Sequence, residues 1–167
     1  MASPIIDGYL FAWKKNLDYG SKLVADLSDE QMVAQPAPDH DALANHPAWV
    51  LSHLNVYLPI MTSIIKGEEF EDPKEHKFGM TSKPEASRDV YASSEELLQN
   101  FVAGHEQVAE LLGNADDSVF ATPIKLPRWE KVMPTAGYAL PYLMFNHENG
   151  HLGQVSAWRR IQGLPSV

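Results

Sequence analysis

The sequence predicts an all-α fold, a four-helix bundle with a long crossover between the second and third helices. Three observations carry this expectation. Four segments repeat apolar residues at intervals of three and four, the period of one helix face. No segment reads convincingly as a strand. A polar stretch with Pro73, Gly79 and Pro84, over residues 68–93, is long for a bundle connection and suits a crossover. At 167 residues, the chain is expected to form one domain, 1–167, with a core of its own.

The first helix is expected over residues 4–27, where Ile6, Tyr9, Trp13, Leu17, Gly20, Val24 and Leu27 make one stripe. Ser28 and Gln31 have capping-box spacing for a short extra helix, after which Pro36 and Pro38 end regular structure. The second helix is expected over residues 47–66. Asn45 or His46 caps it, Pro47 takes the first helical position and Gly67 stops it. Its stripe is Val50, His53, Tyr57, Ile60 and Ile64, with Trp49 alongside. Pro59 lacks the donor for the Asn55 carbonyl and is expected to kink the helix after His53.

The third helix is expected over residues 94–112, capped by Ser93 or Ser94, with Glu95 and Glu96 in its first turn. Leu97, Phe101, His105, Val108 and Leu112 form its stripe, and Gly113-Asn114 closes it. Irregular structure follows over residues 115–135, where Phe120, Trp129 and Met133 either pack on the core or wall the mouth of a site. The fourth helix is expected over residues 136–162, with Pro141 near its start. Leu140, Met144, His147, His151, Val155, Trp158 and Gln162 share a face, and Gly163-Leu164-Pro165 ends it.

Charge and composition exclude several functions. The net charge of -9 repels phosphate backbones and anionic membrane surfaces, so neither nucleic acid nor membrane is an expected partner. The absence of cysteine removes disulfides, protein thiolate ligands and cysteine nucleophiles. The first residues lack the pattern of a signal peptide, and no apolar run approaches the ~20 residues that span a bilayer. The default expectation is a cytoplasmic protein.

Histidine placement points to chemistry. His40, His46 and His76 fall in loops or at a helix start, whereas His53, His105, His147 and His151 lie on apolar stripes. A buried imidazole needs partners for its nitrogens. His147 and His151, four apart, stand one turn apart on one face, where each can offer a nitrogen to one cation at ~2.0–2.1 Å. The third ligand has to come from another helix. His53 is the best candidate, central in its stripe between Trp49 and Tyr57, and His105 is its rival. Three neutral imidazoles leave a divalent site at about +2 with an open position, the ligand set of a catalytic zinc site. Nickel, iron(II) and copper also accept all-nitrogen ligation.

His147-Glu148-Asn149-Gly150-His151 also matches the zinc-peptidase helix motif, in which Glu148 would be a general base. A peptidase is disfavoured, because no His, Asp or Glu follows His151 to serve as a downstream ligand. Glu148 is therefore a base, a partner behind the ligands, or a solvated surface carboxylate.

Two stretches resemble the DinB-like (YfiT-like) superfamily of metal-binding four-helix bundles. Asn45-His46-Pro47-Ala48-Trp49-Val50-Leu51-Ser52-His53-Leu54 resembles the second-helix segment that ends in the first metal histidine. His147-Glu148-Asn149-Gly150-His151-Leu152-Gly153-Gln154, with Arg159-Arg160 and Gly163, resembles the fourth-helix signature and tail. The resemblance implies His53, His147 and His151 as ligands, with nickel or zinc as the metal. It also implies a small-molecule substrate, a low-molecular-weight thiol as cosubstrate of an S-transferase, and a homodimer. In such enzymes the metal acidifies the thiol, much as zinc acidifies water. A non-catalytic metal-binding or stress-associated protein is the alternative, and a metal-dependent hydrolase a weaker one.

Overall fold

A computed structural model describes residues 3–35 and 44–167. Pro36, Pro38 and His40 lie outside the described residues. The described chain forms α1 (Pro4–Val24), α2 (Asp29–Met32), α3 (Pro47–Lys66), α4 (Ser94–Gly113), α5 (Pro127–Glu130), α6 (Ala136–Pro141) and α7 (Glu148–Ile161). A π-helical turn, Tyr142–His147, carries α6 into α7. The only β pairing among the described residues is an isolated antiparallel bridge between Pro123 and Thr135. The all-α expectation holds.

Local chemistry explains the helix ends. Ser3 accepts from the Ile6 amide at the start of α1, with Pro4 at the first helical position. Ser28 and Gln31 close the capping box of α2. His46, not Asn45, caps α3: its ring accepts from the Trp49 amide. Gly67, at φ 68°, ends α3 in the left-handed region that glycine enters without strain. Ser93 caps α4 by accepting from the Glu96 amide. The helix α3 continues through Pro59, which faces outward, so that the missing donor falls on the solvent side.

The stripes meet in one core, with Trp13, Val50, Phe101, Val108, Leu140 and Met144 each no more than 1% exposed. Side-chain pairings give the helix directions. Between α3 and α4, Asn55 donates to the Leu97 carbonyl and Leu58 lies against Gly104, so the two helices run the same way. The segment between them has to travel back along the bundle, which accounts for its length. Against α1, α4 runs antiparallel: the Trp13 indole donates to the His105 carbonyl, while Gly20 abuts Phe101. α7 runs antiparallel to α3, with Trp49 beside His151 and Tyr57 beside His147.

The returning segment is ordered by its own contacts. The His46 ring donates to the Glu85 carbonyl at 2.9 Å, and Arg88 pairs with Asp29. Gly79 is required sterically, because a Cβ there would sit 1.7 Å from the Pro73 carbonyl oxygen.

By length and composition α3 can cross a bilayer, with a mean hydropathy of 1.3, contrary to the expectation that no run approaches that limit. Its most apolar window is 72% buried inside the fold, the placement of a core helix.

Candidate metal centre

The three histidines converge where α3 faces the start of α7. His53 projects from the middle of α3, His147 ends the π turn, and His151 follows one turn later in α7. One ring nitrogen from each lies within 4.8 Å of the others. The Nε2 atoms of His53 and His147 are 3.0 Å apart. Tetrahedral ligands at ~2.0–2.1 Å from a metal stand about 3.3 Å from one another, so small ring rotations complete the set.

Hydrogen bonds behind the rings fix which nitrogen faces inward. The Nδ1 of His53 donates to the Phe78 carbonyl at 2.7 Å, leaving the Nε2 lone pair toward the cluster. The Nδ1 of His151 donates to Gln154 Oε1 at 3.0 Å. The same oxygen accepts from Asn45, just before α3, and so ties the two ligand-bearing helices. Trp49 stacks on the His53 ring at 14° and 4.8 Å, limiting its tilt.

Electrostatics favour metal over protons. Burial pushes the His53 imidazole down to about 4, with His151 nearby adding to the effect. His147 falls to about 3, again chiefly by burial and then by its two histidine neighbours. Burial also lowers His151. All three rings are neutral at physiological pH, the form that ligates.

The π turn shapes this centre. Pro141 cannot donate into the helix and its ring crowds the preceding turn, conditions that favour a local widening. Inside the turn, the Met144 carbonyl accepts from the Asn16 side chain of α1 at 2.9 Å. A π turn brings residues five apart onto one face. Tyr142 accordingly lies over His147, with ring planes 29° apart.

The histidines form the floor of a cavity of about 620 Å³. Trp49, Tyr57, Tyr142 and Leu143 wall it from the helices. Met80 comes from the returning segment, and Arg128, Trp129, Val132 and Met133 come from α5 and the turn after it. Trp129 and Met133 are thus wall residues, while Phe120 packs on Tyr9. The volume suits a small organic molecule.

His105 and Glu148 stand elsewhere. His105 is fully buried, stacked on Trp13 at 4.0 Å, with Nδ1 donating to the Phe101 carbonyl. Its Nε2 lies 3.1 Å from Glu148 Oε1. Glu148 is 2% exposed and does not line the cavity. One position past His147, it is rotated by about 100° around the helix, into the bundle interior. Burial raises its carboxyl, against the lowering effect of hydrogen bonds from His105 and Asn16. The solvated-carboxylate reading of Glu148 does not hold.

Several wall residues carry no signal that sequence patterns expose. Met80, Arg128 and Val132 reach the cavity through loops, and the Phe78 contribution is a backbone carbonyl. Tyr142 was detectable only with the π turn known.

The family model of the DinB superfamily matches residues 12–155, a span that includes all three histidines. No curated protein and no solved structure matches the chain.

Proposed function

The chain belongs to the DinB superfamily, and on that premise we propose that it is a metal-dependent enzyme acting on small molecules in the cavity above His53, His147 and His151. The observation that carries this reading is the convergence of three neutral imidazoles on the floor of a cavity, with no fourth protein ligand among the described residues. A nickel or zinc ion held there would acidify a donor entering from the cavity side. The chain has no cysteine, so a thiol at the site would come from a cosubstrate. Transfer of a low-molecular-weight thiol fits this arrangement. The S–H proton passes to solvent, sulfur bonds to an electrophilic carbon, and the leaving group departs with its electron pair.

The protein's residues have separate tasks in this reading. Phe78 and Gln154 hold His53 and His151 in the ligating tautomer. The aromatic walls would seat the apolar part of a substrate above the histidines. Glu148 supports the ligand helix from behind, through His105 and Asn16, rather than acting as a base. The test is metal content after metal-replete purification, together with conjugation of biological thiols to a model electrophile. About one ion per chain is expected for the wild type, and less than about a fifth for His53→Ala or His147→Ala. Activity no greater than that of these variants would refute the enzyme reading.

A non-catalytic staple is the second reading, favoured by the origin of the ligands in two different helices. It predicts the same metal content and a large fall in Tm on chelation, but no turnover with any thiol.

A further inference from the structure

We propose that the compound this cavity accepts is apolar and ring-bearing, and carries little or no net charge. The inference rests on the metal-centre reading above and adds what the walls select. Among the described residues, eight of the side chains around the histidines are apolar or aromatic, and Arg128 is the only other one. Arg128 is, among the described residues, the single permanently charged group facing the space, and it is already engaged. Its Nε donates to Asp72 Oδ2 at 2.8 Å, one terminal nitrogen to Asp72 Oδ1, and the other to the Met80 sulfur at 3.7 Å. A substrate carboxylate would meet a guanidinium whose charge Asp72 already offsets, with only the N–H groups that Asp72 and Met80 leave over.

The mouth is also apolar. Met80, Val132 and Tyr142 are 55%, 69% and 47% exposed, although side chains of this kind gain by burial. All three border the same cavity, so a hydrophobic ring seated there would cover them together. The other polar atoms on the walls belong to neutral side chains, the hydroxyls of Tyr57 and Tyr142 and the indole of Trp129. These features favour one apolar body held against aromatic faces while a single donor atom reaches the floor.

Three thiols with the same donor and different bodies test the inference: benzyl mercaptan, 2-mercaptoethanol and mercaptosuccinate. Each is titrated into the full-length protein loaded with cobalt(II), and the sulfur-to-cobalt absorption band gives Kd. Benzyl mercaptan should bind about 30-fold more tightly than 2-mercaptoethanol, the ratio expected for burying one ring. Mercaptosuccinate should bind no more tightly than 2-mercaptoethanol. Trp129→Ala should cut the ring preference to less than about fivefold. Val132→Asp, at an exposed position, should do the same even if the tryptophan variant folds poorly. Equal affinities for the three thiols on a cobalt-loaded protein would overturn this inference and leave the metal centre standing. Tightest binding of mercaptosuccinate would also overturn it, by showing that the site receives a substrate anion. Failure to take up cobalt would overturn the metal centre and this inference together.

Discussion

In the metal-free protein, His53 and His147 together should remove roughly 4 kcal/mol of folding stability as the pH is lowered from about 8 to about 5. The folded state holds His53 at about 4 and His147 at about 3, against 6.5 for an exposed imidazole. A depressed histidine leaves stability intact above 6.5. The loss grows as pH falls from there, because the unfolded chain takes up protons that the folded chain refuses. It levels off only below the folded values, near 4 for His53 and 3 for His147. At pH 5 each site lies about 1.5 units into this window, worth about 2 kcal/mol per histidine. Urea unfolding at both pH values in the presence of chelator measures the loss directly. A His53→Gln/His147→Gln protein should lose far less. Asp29 and Asp72 do not confuse the comparison: both carboxyls are held at about 2, so their contributions fade only in stronger acid. Equal losses in wild type and variant would refute the reasoning. A wild type that loses only about half as much would mean that His53 and His147 share one proton across their 3.0 Å gap.

Two glycines should respond oppositely to alanine. At Gly104 a Cβ would meet Leu58 Cβ at 2.8 Å, so Gly104→Ala should destabilise by about 1–3 kcal/mol despite its better helix propensity. At Gly150 nothing lies within 4 Å, and Gly150→Ala should stabilise by about 0.5–1 kcal/mol; both are read from denaturant midpoints. Asn16→Leu removes the amide that satisfies the Met144 carbonyl inside the π turn. It should cost about 1–3 kcal/mol and weaken metal binding in a competition titration, whereas loss of stability with unchanged metal affinity would separate the turn from the centre.

The helix boundaries were largely legible because local chemistry writes them: Pro47 and Gly67 bracket α3, and Ser28 with Gln31 announces α2. The His147–His151 pair was legible for a similar reason, since its geometry belongs to one helix. Choosing between His53 and His105 needed more. Both lie on apolar stripes, and a stripe gives the direction a side chain takes but not which neighbour stands at its height. That depends on how α3 and α4 each sit against the π turn and α7, which places His53 opposite His147 and His105 against Glu148. The surroundings of Glu148 were not legible, because the peptidase-like motif speaks of ligand spacing and is silent on what packs against the next face, here His105. The π turn left only one trace, Pro141, which equally suits an ordinary first turn. The wall from α5 depends on contacts between residues far apart in the chain, such as Arg128 with Asp72, and periodicity carries nothing of that kind.

The arrangement of neighbours around α1 has a consequence for how the protein is made. α1 rests chiefly on α4 and α7, and Trp13 finds its indole partner 92 residues later. A ribosome adding about 5–20 residues per second therefore exposes the apolar face of α1 on the order of ten seconds before α4 exists. The usual advantage of helical proteins, quick closure between neighbours in sequence, is not available to the first half of this chain. His53 likewise emerges long before His147 and His151. The nascent chain passes through a stage in which half the core is synthesised and almost none of it can be buried, and chaperone demand should be highest there.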